Sequence, residues 1–332
     1  MTRGLESADE FETIARLFRP LAEHEAALSL MDDAACLSPP SGHDLVLTKD
    51  TIVEGVHFLP EDPLDLVARK LLRVNLSDLA AKGAMPFGYL LSTAWRESSG
   101  WREREAFSAG LREDQSRYGL TLLGGDTVVT PGPYVFSATL IGLVRIGRMV
   151  RRSGARPGDL VLVTDTIGDG YLGLKVAQQT LSLEPEREAA LLERYRIPEP
   201  RCDFIEPLQA HANAAVDVSD GLLADLAHIC KASGTGMEID LARLPMSRAA
   251  LSWFENRVDP VDAALTLATG GDDYQVAFTA HPGALSALEL EARERRLRLT
   301  VLGEVTESGH LQVRYGDSPL TPSRLGWRHG ED

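Results

Sequence analysis

Cysteine, positive charge and long apolar runs are what this chain lacks. Its three cysteines, Cys36, Cys202 and Cys230, contain no CxxC pair. That excludes a disulfide framework and a cysteine-built zinc site, and predicts three reduced thiols packed as small core residues. Lysine and arginine number 34 against 49 acids, for a net charge of −15. This balance argues against sequence-independent binding to nucleic acid or to an acidic membrane. It also means that an anionic substrate must be received locally, by arginine, lysine, backbone amides or metal. No apolar run approaches transmembrane length, and Met-Thr-Arg-Gly-Leu-Glu-Ser-Ala-Asp-Glu has no signal-peptide core, so a cytoplasmic protein is expected. Several catalytic signatures are missing as well: GxxxxGK[ST], GxGxxG after a strand, HRD with DFG, GxSxG and HExxH.

What is present is an ordinary globular composition, 44% apolar and 25% charged, over 332 residues. That length predicts two domains. The join falls near residues 147–159, a stretch rich in glycine with Arg148, Arg151, Arg152 and Arg156. It divides the chain into 1–147 and 148–332. So many arginines in an acidic protein favour a phosphate-facing loop over a solvated linker.

Apolar periodicity predicts a helix over 9–22 and a short strand over 34–37 behind the pair Asp32-Asp33. A helix starts at Asp62-Pro63, with Asp62 as N-cap, and runs to about 81. Asn75 and Asp78, at i and i+3, share one face of it, either as a site or as a solvated surface. Strands over 87–94, 120–123 and 133–145 and a helix over Trp101–Tyr118 complete an α+β first half. The second half reads as α/β: strands near 160–163, 214–218, 237–241, 274–279 and 299–305, with helices near 169, 184–195, 201–213, 222–232, 247–255, 261–267 and 283–296.

The organising stretch is Asp44-Leu-Val-Leu-Thr-Lys-Asp-Thr-Ile-Val-Glu-Gly-Val-His-Phe58. It reads as an apolar strand ending on an acid, Asp50, which needs compensation for its charge. The same grammar recurs in Leu122-Leu123-Gly124-Gly125-Asp126 and in Val216-Asp217-Val218-Ser219-Asp220-Gly221. Ser219 or Asp220 is also a plain N-cap candidate for the next helix. Asp33, Asp50, Asp78, Asp126, Asp217 and Asp220 together offer carboxylate oxygen without imidazole or thiolate, the donor set of Mg²⁺ or Ca²⁺. Magnesium and phosphate would hold such acids together, although spacing alone leaves coincidence open among 49 acids.

Taken in order, the motifs resemble the thiamine-monophosphate kinases, of the ATP-binding superfamily shared with aminoimidazole ribonucleotide and selenophosphate synthetases. They are Asp32-Asp33-Ala34-Ala35, Thr48-Lys49-Asp50-Thr51-Ile52-Val53-Glu54-Gly55-Val56-His57-Phe58, Lys70 with Val74-Asn75-Leu76-Ser77-Asp78, and Gly124-Gly125-Asp126-Thr127. Arg152-Ser153-Gly154-Ala155, Asp217-Val218-Ser219-Asp220-Gly221-Leu222 and Gly270-Gly271-Asp272-Asp273-Tyr274 continue the series. The resemblance implies ATP-dependent phosphorylation of thiamine monophosphate to thiamine diphosphate by direct transfer. It implies several Mg²⁺ ions on Asp33, Thr48, Asp50, Asp78, Asp126, Asp217 and Asp220, with Asp50, Asp126 and Asp217 central to catalysis. It assigns Gly125, Asp126, Arg152 and Ser219 to the nucleotide, and His57, Asp272 and Trp327 to the acceptor. Trp327 is also readable as a packing anchor and His57 as a structural histidine.

The implied fold is a two-domain α/β protein of α+β type. Its N-terminal mixed sheet pairs in a homodimer, and a C-terminal α/β domain completes the active site. Met31, Lys49, Val128-Val129 and Asp272 depart from the family pattern, and the C-terminal Gly326-Trp327-Arg328-His329-Gly330 keeps part of it. Purine-ring closure, selenophosphate synthesis and a non-catalytic nucleotide binder are the competing readings.

Overall fold

A computed structural model describes residues 9–327. The chain forms two compact units, residues 1–79 with 84–147, and residues 80–83 with 148–332.

The first unit is built on a four-stranded mixed sheet in the order β1-β4-β2-β3. These strands are β1 (His43–Val53), β2 (Met85–Arg96), β3 (Leu122–Thr130) and β4 (Val135–Arg145). Two 18-residue helices, α2 (Leu64–Ala81) and α3 (Trp101–Tyr118), carry its core. Parity along the strands sorts their side chains. Val46, Ile52, Leu91, Trp95, Phe136 and Leu140 are buried on one face. Phe107 of α3 joins them, with ring centroids 5.5 Å from Trp95 and 4.3 Å from Phe136. The other face leaves Leu47 and Leu90 exposed. Helix α3 crosses from β2 to the parallel β3, so this half contains one βαβ unit within its mixed sheet.

The helices touch closely enough that a Cβ on Gly110 would lie 2.0 Å from the Asp65 carbonyl oxygen. Beside that contact Asp114, fully buried, accepts Nε of Arg73 at 2.6 Å and Nε of Arg69 at 3.3 Å.

The predicted helix over 9–22 is present as α1 (Glu10–Thr13) followed by π and 3₁₀ turns ending at Leu21. Other expectations need correction. Residues 34–37 are not a strand: a single backbone bond, Cys36 N–H to Ala26, is far from a ladder. α2 begins one residue after Pro63, and the Asp62 carboxylate accepts the Leu59 amide at 2.8 Å. β1 and β3 run past Asp50 and Asp126, so both acids lie inside strands rather than at strand ends. Of the cysteines only Cys230 is buried.

The second unit has a seven-stranded sheet in the order β11-β10-β7-β9-β5-β8-β6. Its strands are β5 (Leu160–Thr164), β6 (Ala212–Asp217), β7 (Gly236–Asp240), β8 (Val276–Ala280), β9 (Leu299–Thr306), β10 (Leu311–Tyr315) and β11 (Ser318–Leu320). Central strands are continuously apolar because both faces are covered. Val161, Val163, Ala214, Val216 and Ala277 enter one core, with α4 (Asp169–Ala177), α5 (Pro185–Arg196), α7 (Leu222–Ser233), α8 (Arg248–Glu255) and α9 (Pro260–Ala268). Leu162, Ala215 and Phe278 enter the other, with α6 (Ile205–His211) and α10 (Leu285–Glu294). The hairpin β10–β11 escaped the sequence reading; its short strands, interrupted by Pro319, carry little periodicity. Among the described residues no helix is long and apolar enough to cross a membrane.

Removing one partner from a buried ion pair strands the other. Asp114→Ala is therefore expected to cost about 3–5 kcal/mol. Urea unfolding of the purified variant measures it, and an unchanged midpoint would contradict the pairing.

Candidate functional site

In the first unit, β1 and α2 bring three of the predicted metal ligands together. Thr48 and Asp50, two residues apart, share the β1 face that α2 covers. The Thr48 hydroxyl donates to Asp78 Oδ2, and Asn75 of the same helix accepts the Asp50 amide at 3.0 Å. The i, i+3 pair on α2 thus faces β1 and not solvent. Burial, then the neighbouring Asp78 carboxylate, push the Asp50 carboxyl up to about 6, against a smaller lowering by Lys49.

His57 follows in a tight turn. Gly55, at φ 78°, donates to Phe58, and the His57 Nδ1 accepts the Val53 amide at 3.1 Å. An occupied Nδ1 leaves the ring proton on Nε2. The buried Lys70 donates to the His57 carbonyl at 3.0 Å.

Asp126 is placed differently. The register runs Asp50↔Ala138↔Leu91↔Gly125, with Ser92 opposite Asp126. Asp50 and Gly125 therefore share one face, and Asp126 points to the other. β1 and β3 are also the two edges of the sheet, three inter-strand spacings apart, about 14 Å. A Cβ on Gly125 would lie 1.8 Å from the Leu91 carbonyl oxygen, which explains the glycine. Asp33 lies exposed in irregular chain, its amide on Asp32.

In the second unit Asp217, Ser219 and Asp220 lie on one stretch, to which the Asp272 and Trp327 amides are bonded. Asp217 closes β6 and is buried. The next residues, 218–221, are bound along both sides of their backbone. Val218 O accepts the Tyr274 amide at 2.7 Å, Ser219 O the Asp272 amide at 2.8 Å and Asp220 O the Trp327 amide at 2.8 Å. On the donor side, Asp225 Oδ2 accepts the amides of Ser219, Asp220 and Gly221 at 3.0, 3.2 and 3.2 Å. So neither Ser219 nor Asp220 caps α7. Its N-cap is Gly221, and an acid from inside the helix reaches back instead. Burial, and then Asp220, push the Asp225 carboxyl up to about 7. Asp220, Asp225 and His228 are the one trio of His, Cys, Asp or Glu among the described residues whose ligating atoms lie within 4.8 Å of one another.

The loop bearing Asp272 is strained: Asp272 and Tyr274 have φ of 62° and 51°. Asp273 anchors it, accepting the Gly168 amide at 2.8 Å and the Gly170 amide at 3.1 Å. Burial holds this carboxyl well above the usual range despite those bonds. The Tyr274 hydroxyl donates to Asp272 Oδ1 at 3.1 Å. Trp327 is 52% exposed, so it is not a buried packing anchor. Arg152 lies elsewhere: its carbonyl accepts Ser233 Oγ, at the opposite end of α7 from Ser219. Arg328, His329 and Gly330 fall outside the described residues. Asp225 does not figure in the sequence reading, and Asp273, although inside a quoted motif, is given no role there. Each is an acid just beyond a chosen motif residue, which was the available signal.

Residues 31–144 match the AIR synthase related protein, N-terminal domain, and residues 156–316 match the C-terminal domain of the same group. The thiamine-monophosphate kinase of Caulobacter vibrioides is 48% identical over 322 residues, covering 97% of this chain and 91% of that protein. The chain belongs to the thiamine-monophosphate kinase family. Among solved members, the thiamine-monophosphate kinase of Stenotrophomonas maltophilia K279a superposes with a TM-score of 0.80 at 37% identity, covering 89% of this chain and 93% of that one. AaThiL complexed with AMPPCP and TMP gives 0.76 at 31% identity, covering 90% and 91%.

A carboxyl lifted in the folded state is costly once ionised, and the cost is relieved as pH falls through its folded value. In metal-free buffer near pH 7.5, Asp50→Asn is thus expected to keep or raise the thermal midpoint by a few degrees, with the gain fading towards about pH 5. Differential scanning fluorimetry across pH tests this; a lowered midpoint at neutral pH would refute it.

Proposed function

We propose that this chain transfers the γ-phosphoryl group of ATP to thiamine monophosphate, releasing thiamine diphosphate and ADP. Near-full-length identity to a thiamine-monophosphate kinase carries the reading. An acceptor phosphate oxygen forms the new P–O bond as the bond from the γ-phosphorus to the ADP oxygen breaks, without a phospho-enzyme. Such transfer needs mainly alignment and neutralisation of spreading charge.

The donor chemistry fits Mg²⁺. Thr48, Asp50 and Asp78 offer only oxygen, and Asp50 beside Asp78 is a like-charge pair that a cation relieves. Asp33, Thr48, Asp50, Asp78, Asp126, Asp217 and Asp220 would hold several ions, which supply charge neutralisation at the phosphates. Gly125, Asp126, Arg152 and Ser219 serve the nucleotide. His57, with its proton on Nε2, is suited to donate to the acceptor phosphate. The half-exposed Trp327 offers a ring face to the thiazolium cation, and Asp272 stands beside it through the shared loop. The protein works in the cytoplasm.

The working form is a homodimer. Exposed Leu47, Leu90 and Val128 share the sheet face opposite α2. Asp126 belongs to that face and Asp50 to the other, so a centre needing both takes them from different copies.

Incubation with ATP, Mg²⁺ and thiamine monophosphate is expected to yield thiamine diphosphate by chromatography; folded protein giving no product would defeat the reading. Asp50→Asn and Asp126→Asn are each expected to be inactive. After subunit exchange, a mixture of the two should recover about one quarter of wild-type activity, because half the dimers carry one intact site. No recovery despite demonstrated exchange would place both acids in one copy.

A further inference from the structure

We propose that Asp225 is a positioning residue for both substrates, acting through the backbone of residues 219–221. The proposal rests on the assignment above of Ser219 and Asp220 to nucleotide and metal, and of Asp272 and Trp327 to the acceptor.

A helix start needs acceptors for its leading amides, and a serine or aspartate before the helix normally supplies them. Here the preceding residues are Ser219, Asp220 and Gly221, and none caps. One oxygen of Asp225, itself 2% exposed, takes all three amides. The side chains of Ser219 and Asp220 make no cap bond to the helix, and it is their own amides, with that of Gly221, that Asp225 binds. A single buried carboxylate also fixes three consecutive peptide planes.

The opposite edge of those planes is equally committed. The Ser219 carbonyl holds the Asp272 amide, and the Asp220 carbonyl holds the Trp327 amide. Neighbouring backbones leave little slack: a Cβ on Gly271 would lie 2.7 Å from Ser219 O, and one on Gly326 2.5 Å from Asp220 O. Tilting the loop at Asp225 therefore displaces nucleotide-side and acceptor-side groups together. Asp225 touches neither substrate in this scheme, so its effect reaches both through one rigid segment.

The test compares Asp225→Ala and Asp225→Asn with wild type in steady-state kinetics, varying ATP and thiamine monophosphate separately. Hydrogen exchange across 219–221 is followed in parallel. Alanine is expected to lower kcat/KM for both substrates by about 100-fold, the scale of a small misplacement of reacting groups. Asparagine keeps an acceptor oxygen and should stay within about tenfold of wild type. Exchange at 219–221 should quicken in the same order while β6 and α7 stay protected. A loss confined to one substrate, an asparagine variant as impaired as alanine, or alanine kinetics within about twofold of wild type would each overturn the proposal. If alanine fails to fold, the asparagine kinetics and exchange still decide it: unaltered exchange at 219–221 counts against it. If wild type makes no thiamine diphosphate, the parent reading fails, while the exchange arm still reports on the Asp225 clamp.

Discussion

A strand shows alternate side chains to opposite faces, and this parity governs what the first unit does with its acids. Thr48 and Asp50 fall on the face covered by α2, where Asn75 and Asp78 meet them. Asp126 falls on the uncovered face at the far edge. One residue of slip in β1 would turn Asp50 outward and Lys49 inward. The buried Val46 and Ile52 on the same parity prevent that slip, so the core that stabilises the sheet also fixes the direction of the acid.

The second unit solves its positioning problem by a different route. Residues 218–221 leave the sheet and have lost the ladder that would satisfy their polar groups. The Gln275 carbonyl, for Val218, and Asp225, for the next three residues, replace it on the donor side, and the amides of Asp272, Tyr274 and Trp327 replace it on the acceptor side. Backbone satisfaction and site construction are here one arrangement.

Much of this was legible in advance. Continuous apolar runs such as Leu160-Val-Leu-Val and the 3.6 periodicity of α2, α3 and α7 marked the elements, and glycines such as Gly119, at φ 67°, marked their ends. Strand ends were not legible. β1 and β3 continue through Lys49-Asp50-Thr51 and Gly125-Asp126-Thr127 because their partners extend that far, a tertiary fact that local composition hides. The family motifs gave roles to Ser219, Asp220 and Asp272; Asp273 stood inside the last motif without one, and Asp225 lay outside them all. Those two act on main-chain amides distant in sequence or ahead of a helix, and no periodicity reports such bonds. Residue type also misled: Cys36 sits exposed although its neighbours are apolar.

Asp272 and Tyr274 both occupy the left-handed region, which glycine adopts freely, asparagine and aspartate at some cost, and a bulky residue such as tyrosine seldom. Selection for heat resistance alone would find these two positions early, because glycine there releases backbone strain. At 272 that exchange deletes the carboxylate proposed above to meet the acceptor. At 274 it deletes the hydroxyl that steadies the carboxylate. Under the acceptor assignment proposed above, robustness to heat has to be gained elsewhere in the chain, and this loop marks where durability and turnover compete.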